Sequence, residues 1–218
     1  MADDSEMDGT ISWRQLWDDT APQTGRPEAR WLCEEASGAF GGEFLDVLDA
    51  PVTERSMAHL DAMLARLRDG EPLQYVLGHW SFRRLDLLVD RRVLIPRPET
   101  ELVAEVAIGF ARELLAAGAE RPMPLADLGT GSGSIGLSLA LELPRGSVDV
   151  WLTDLSADAL DVARANTAGL GMAGACVHFG QGTWFEALPD HLSGALGVVV
   201  SNPPYIAADD PGVADDVR

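Results

Sequence analysis

The chain has 218 residues, is 46% hydrophobic and carries a formal net charge of −19, from 16 basic against 35 acidic residues, every basic one an arginine. That length and composition allow one large or two small domains with a buried core. So acidic a chain has no general attraction for nucleic acid, whose binding depends on neutralising phosphates, and a basic or neutral partner is expected instead.

Residues 1–9 are acidic and polar, unlike a signal peptide. Nowhere is there an uncharged apolar run of the roughly 20 residues needed to cross a bilayer, so a cytoplasmic protein without a membrane role is expected. Cys33 and Cys176 lie far apart without partners at metal-ligand spacing and read as buried, reduced thiols. No metal site is expected.

From Ser12 to Leu77 the signals are helical. Trp13, Leu16 and Trp17 recur at i, i+3, i+4, and Pro27 opens a segment that Gly38 closes. A short piece, 43–48, ends before Pro51. The clearest helix starts after Thr53, a plausible cap, and stops at Gly70, with Met57, Leu60, Met63, Leu64 and Leu67 on one face. Pro72 starts another, through Leu77. Each is too short to stand alone, so residues 1–77 are expected to pack as a small helical bundle. Its three tryptophans read as core more than as a partner-binding face. His59 and His79, without acidic or nucleophilic neighbours in sequence, read as structural or exposed.

Residues 78–97 alternate imperfectly and read as a β-hairpin linker. Arg83, Arg84, Arg91, Arg92 and Arg97 make this the most basic stretch, either a solvated rim or a place where a partner docks. Pro96 and Pro98 then set up a helix, since proline suits a first turn. Leu102, Val103, Val106, Phe110, Leu114 and Leu115 are expected to form its core face.

From Leu125 onward strands and helices alternate: a strand over 125–128, a helix to Leu143, a strand over 148–153, a helix over 156–168, then strands over 176–179 and 196–200. Near-continuous apolar strands in such alternation imply a parallel sheet covered on both faces, an α/β domain over 98–218.

The first of these strands runs into L-A-D-L-G-T-G-S-G-S-I-G, residues 125–136. Glycine permits positive φ and lets a ligand lie against the backbone, and the following helix would aim its N-terminal N–H groups there. Gly131, Gly133 and Gly136 satisfy G-x-G-x-x-G, and Asp154 follows about 20 residues on, where a dinucleotide site places its ribose-binding acid. S-adenosylmethionine, an adenosine without a pyrophosphate, suits the same arrangement, and a turn without a ligand is the third reading. The decisive residues come later. The strand over 196–200 ends in Asn202-Pro203-Pro204-Tyr205, beside the glycine loop if ligands bind outside the carboxyl ends of the strands. An amide or amino nitrogen is a poor nucleophile because its lone pair is delocalised. Hydrogen bonds from its N–H groups to the Asn202 side-chain oxygen and the Pro203 carbonyl would orient it, with Tyr205 as a flat face over the group.

Taken with R-D-G-E-P-L-Q-Y-V-L-G, L-I-P-R-P-E-T-E, D-L-G-T-G-S-G and T-D-L-S, this tetrapeptide makes the chain resemble the release factor glutamine methyltransferases, the PrmC/HemK family of class I S-adenosylmethionine-dependent methyltransferases. The resemblance covers almost the whole chain. It implies a Rossmann-like domain following the helical one, and methyl transfer from S-adenosyl-L-methionine to the glutamine side chain in the Gly-Gly-Gln motif of peptide chain release factors. By position, Gly129, Thr130, Gly131, Ser132 and Gly133 would lie against the methionine part of the cofactor, Asp154 would hold both ribose hydroxyls, and Trp184 would lie near the adenine. Asn202, Pro203, Pro204 and Tyr205 would hold the glutamine amide, Asn202 also touching the cofactor. Residues 1–77 would recognise the release factor, and the full-length protein would be a monomer. Thr183 stands where the family commonly has an acid, and Gly197 where its fourth strand usually begins with an aspartate. The family's sheet has seven strands ordered three-two-one-four-five-seven-six, of which this sequence offers four, so the domain reads as truncated after the fourth strand. An adenine-N6 methyltransferase, a nicotinamide dehydrogenase and an inactive cofactor-binding fragment are the alternatives.

Overall fold

The computed structural model describes residues 10–203. The chain divides into two compact units, residues 1–77 and 78–218.

The first unit is helical: α1 (Trp13–Thr24), α2 (Arg26–Ser37), α3 (Gly42–Asp46), α4 (Glu54–Arg68) and α5 (Leu73–Leu77). Helix α1 opens on a capping box, in which the Ser12 hydroxyl accepts from the Gln15 N–H and the Gln15 side chain accepts from the Ser12 N–H, satisfying two orphan donors reciprocally. Thr53 caps α4 by accepting from the Ser56 N–H. Leu16, Leu32, Cys33, Phe44, Leu60 and Met63 form the core. The tryptophans divide. Trp13 is buried edge-on to Phe44 at 6.2 Å between ring centroids, Trp17 is half-buried beneath the Arg26 guanidinium, and Trp31 is exposed. Only the first is wholly core.

The second unit begins with an antiparallel hairpin, β1 (His79–Phe82) and β2 (Leu85–Leu88), so residues 89–97 of the expected hairpin carry no strand. His79 has an acidic neighbour after all, its Nδ1 lying 2.7 Å from an Asp86 carboxylate oxygen across the turn. Nor is Arg83 a solvated rim residue. Its guanidinium donates to Glu142 and Glu105, and its backbone N–H to a Glu101 carboxylate oxygen, which fastens the turn to the helices behind it.

Then come α6 (Thr100–Ala116), β3 (Met123–Leu128), α7 (Ser134–Glu142), β4 (Val148–Asp154), α8 (Ala157–Gly169), β5 (Val177–Gln181) and β6 (Val198–Ser201). The last four strands form a parallel sheet ordered β5-β4-β3-β6, the first four places of the order that the family resemblance implies. Leu125, Ala126, Asp127 and Leu128 are all buried, so β3 is covered on both faces. Cys33 is buried as expected, whereas Cys176 is only half-buried.

A further expectation is corrected. Helix α6 buries Ala104, Ala107, Ile108, Ala111 and Leu115, while Leu102, Val106, Phe110 and Leu114 of the expected core face are exposed. Both stripes have helical periodicity; the one with small side chains packs inward, because alanines let α6 approach its neighbours closely. Strand β6 has the composition of a buried strand, yet among the described residues it pairs with β3 alone and Val199 is 44% exposed.

Candidate active site

The glycine loop follows β3 at the carboxyl edge of the sheet. Gly131 and Gly133 have φ of 55° and 87°, where a side chain would be strained. The loop is pinned from below by the Thr153 carbonyl, which accepts from the N–H groups of Gly129 and Thr130 at 2.9 Å each. An Asp154 carboxylate oxygen accepts from the Gly131 N–H at 2.9 Å, and the other accepts from the Ser156 N–H at the start of α8. Asp154 is thus joined to the glycine turn directly. Gly136 serves packing: a Cβ there would lie 2.0 Å from Leu152 Cδ2. Its N–H is spent on an Asp127 carboxylate oxygen at 2.9 Å rather than aimed at a ligand.

Asp127 is the residue that the sequence reading passed over. It is wholly buried, accepts from the Thr130 hydroxyl at 2.7 Å, and lines the cavity beneath the loop. Burial pushes its pKa up to about 6, and the nearby charge of Asp154 pushes the same way, against the two hydrogen bonds. Two carboxylates flanking a glycine turn suit a cationic ligand. They do not suit a pyrophosphate, which would meet like charge. S-adenosylmethionine, with its sulfonium and ammonium, fits this chemistry better than a pyrophosphate does. The aspartate in D-L-G could have been flagged as a charge buried at a strand's end.

Asn166 was also unforeseen. From α8 its side-chain amide donates to the carbonyls of Leu88 and Ser132, and its oxygen accepts from the Leu88 N–H. It therefore ties the hairpin to the glycine loop.

A cavity of about 60 Å³ lies between the loop and the segment before α6, lined among others by Ile95, Thr100, Asp127, Gly131 and Asn202. Whole-ligand pockets run to about 300–1,000 Å³, so this cavity is too small to enclose a whole cofactor and substrate. Strand β6 delivers Asn202 to it. Ser201 Oγ donates to the Leu128 carbonyl at 2.6 Å, and Asn202 Nδ2 donates to Thr100 Oγ1 at 3.0 Å. Pro203 follows, half-buried; Pro204 and Tyr205 lie outside the described residues. Trp184 is 54% exposed, in a turn after β5 that the Gly182 N–H ties to the Asp154 carbonyl at 3.1 Å. It is not among the residues lining the cavity. Gly197, where an aspartate was expected, sits where a Cβ would lie 2.5 Å from the Met123 sulfur.

Known proteins are similar to this chain in sequence. The chain is 36% identical over 199 residues to the release factor glutamine methyltransferase of Escherichia coli K12, covering 91% of this chain and 67% of that protein. The enzyme of the same name from Bordetella pertussis is 40% identical over 198 residues, covering 90% and 68%. The chain belongs to the release factor glutamine methyltransferase family. A relative from Vibrio cholerae is 43% identical over 171 residues, covering 78% of this chain and 55% of its own length. The chain thus spans between 55% and 68% of the length of these three family members. Residues 19–78 match the PrmC N-terminal domain, and residues 108–215 match the Methyltransferase small domain. Among solved structures, a SAM dependent methyltransferase from Agrobacterium tumefaciens covers 58% of this chain and 40% of its own, at 18% identity with a TM-score of 0.45, a likeness too weak to bear on function. Among the described residues no helix is long and apolar enough to cross a membrane, and no group of side chains could hold a metal ion.

Proposed function

We propose that this chain transfers a methyl group from S-adenosyl-L-methionine to the side-chain amide nitrogen of the glutamine in the Gly-Gly-Gln motif of peptide chain release factors. The observation that carries the reading is the meeting of Asn202 and the glycine loop on one small cavity that Asp127 also lines. Bound there, S-adenosylmethionine would supply an electrophilic methyl carbon on a sulfur that leaves as a neutral thioether. Asp154 would hold the ribose, Gly129 to Gly133 would cradle the methionine part, and Trp184 would lie by the adenine. The Asn202 side-chain oxygen and the Pro203 carbonyl would accept the two N–H groups of the glutamine amide. That orients its nitrogen toward the methyl carbon and favours the pyramidal geometry in which the lone pair is released from the carbonyl. As the nitrogen–carbon bond forms, the N–H groups gain acidity and these fixed acceptors strengthen their hold, which is where the rate is gained. One proton then leaves to water.

The helical unit, residues 1–77, would recognise the release factor. The net charge of −19 supports a basic or neutral protein substrate over nucleic acid. Incubation with tritiated S-adenosylmethionine and, separately, a release factor, tRNA and DNA tests the reading. Label is expected in the release factor alone, and lost when its motif glutamine is replaced. Label in tRNA or DNA and none in the release factor would overturn it.

A further inference from the structure

We propose that Asn166 is a positioning residue for the cofactor: from α8 it holds the glycine loop in its ligand-binding form and keys that form to strand β2 of the hairpin. This rests on the reading of the loop as the S-adenosylmethionine site.

A side-chain amide can hold two backbone segments in register only if its orientation is fixed, and here the partners fix it. The Leu88 N–H can only donate, and the carbonyls of Leu88 and Ser132 can only accept. The Asn166 oxygen meets the first at 2.7 Å, and its nitrogen meets the other two at 3.1 and 2.9 Å. Turned over, the amide would set donors against a donor and its oxygen against two carbonyls. On the hairpin, the Val89 N–H donates across to the Gly78 carbonyl at 3.0 Å. The backbone groups of Leu88 therefore point to the other edge of β2, where Asn166 pairs with them as a neighbouring strand would.

On the loop, the bond falls on the peptide unit joining Ser132 and Gly133. Its carbonyl accepts from Asn166, and its N–H donates to the Thr130 carbonyl at 2.9 Å. Fixed at both ends, this unit holds Gly133 at its φ of 87°. Ser132 is buried, so a lost donor would leave its carbonyl unsatisfied. Packing supports the same grip: a Cβ on Gly133 would lie 3.6 Å from the Cβ of Ala163, one turn before Asn166. At the other end of α8, the Asp154 carboxylate accepts the N–H groups of Ser156 and Gly131. The helix and its lead thus hold the loop at Gly131 and again at Ser132. Asn166 touches no cofactor atom in this scheme. It raises the fraction of molecules whose loop is ready to bind, and the apparent Kd falls in proportion.

Asn166→Leu keeps the size of the side chain and removes its hydrogen bonds; Asn166→Ala serves if the leucine variant does not melt cooperatively. Val148→Ala, at a buried position on the far end of β4 where it pairs with Met123, controls for a general loss of stability. Calorimetry with S-adenosylmethionine alone should show Kd raised roughly 10- to 100-fold in Asn166→Leu and within about twofold of the parent in Val148→Ala. In release factor methylation, the KM for S-adenosylmethionine should rise with Kd, while kcat at saturating cofactor stays within about threefold, because bound cofactor restores the loop. An unchanged Kd in Asn166→Leu would overturn the proposal, as would an equal rise in Val148→Ala or a loss confined to kcat. A parent that binds S-adenosylmethionine but methylates no release factor refutes the glutamine reading alone, and the Kd values then decide the role of Asn166. A parent that binds no S-adenosylmethionine overturns both.

Discussion

Strands β3 and β6 lie side by side and carry the two halves of the candidate site, but they hold them differently. Strand β3 is buried on both faces, paired on both edges, and passes into a loop pinned by Thr153, Asp154 and Asn166. Strand β6 pairs with β3 alone among the described residues, and Asn202 at its end is secured by a side-chain contact to α6. Cofactor binding should therefore depend on the centre of the sheet and methyl transfer on its flank, so the two should be separable by mutation. The largest separation is expected from Asn202→Ala. Removing a fixed polar contact made in the transition state costs about 10²–10³ in rate, while calorimetric affinity for S-adenosylmethionine should fall only modestly. A variant retaining more than a tenth of the parental kcat would sink the assigned role.

On the β3 side, Asp127→Asn separates charge from hydrogen bonding. One carboxylate oxygen accepts both the Thr130 hydroxyl and the Gly136 N–H, and asparagine keeps an oxygen for both. Folding raises the Asp127 pKa to about 6, so the folded state binds this proton more tightly than the unfolded one. Its contribution to stability is full below the unfolded value near 4 and is lost as pH rises through about 6. Two units correspond to roughly 3 kcal/mol. Relative to the parent, Asp127→Asn should gain stability between pH 4 and 8 by up to that order, while binding a cationic cofactor less well. Urea melts across that range check the sign; a constant difference would mean that Asp127 stays ionised or neutral throughout.

Asp154→Ala should weaken S-adenosylmethionine binding by about 1.5–3 kcal/mol, the range for hydrogen bonds to a charged group. Because Asp154 also accepts the Gly131 N–H, part of the loss would come from the loop. Titration calorimetry reads the total, and an unchanged affinity would place the ribose elsewhere.

How far the sequence discloses this arrangement depends on whether the signal is local. Alternating apolar runs reveal the parallel sheet, and a glycine cluster between a strand and a helix marks the loop, because both are written in consecutive residues. Asn202 was legible as the first residue of a motif with its own chemistry. Asn166 was not, since an asparagine in A-R-A-N-T-A-G carries no sign that it will bridge the hairpin and the loop. Arg83 read as one arginine among five. Its burial depends on Glu101, Glu105 and Glu142, which reach it only through the fold. Helix α6 misled for another reason: it is apolar on two stripes, and periodicity alone cannot say which one faces the core.

That ambiguity yields the smallest predicted effect. Beside β6, Phe110, Leu114 and Val199 line a shallow groove of about 470 Å³, and Phe110 is 57% exposed. Phenylalanine and serine have nearly equal helix propensity, so Phe110→Ser changes little besides the side chain's contacts. On an exposed face the cost should stay within about 0.5 kcal/mol, against about 3–5 kcal/mol for truncating a buried phenylalanine. Exposed apolar surface beside a strand that pairs on one edge alone among the described residues also favours association between chains, so the variant should elute as less aggregated material at high concentration. Urea denaturation of the parent and the variant, with size exclusion at increasing loading, measures both. A stability loss above about 1.5 kcal/mol would show that this stripe is covered in solution, and that the flank of the sheet is as well enclosed as its centre.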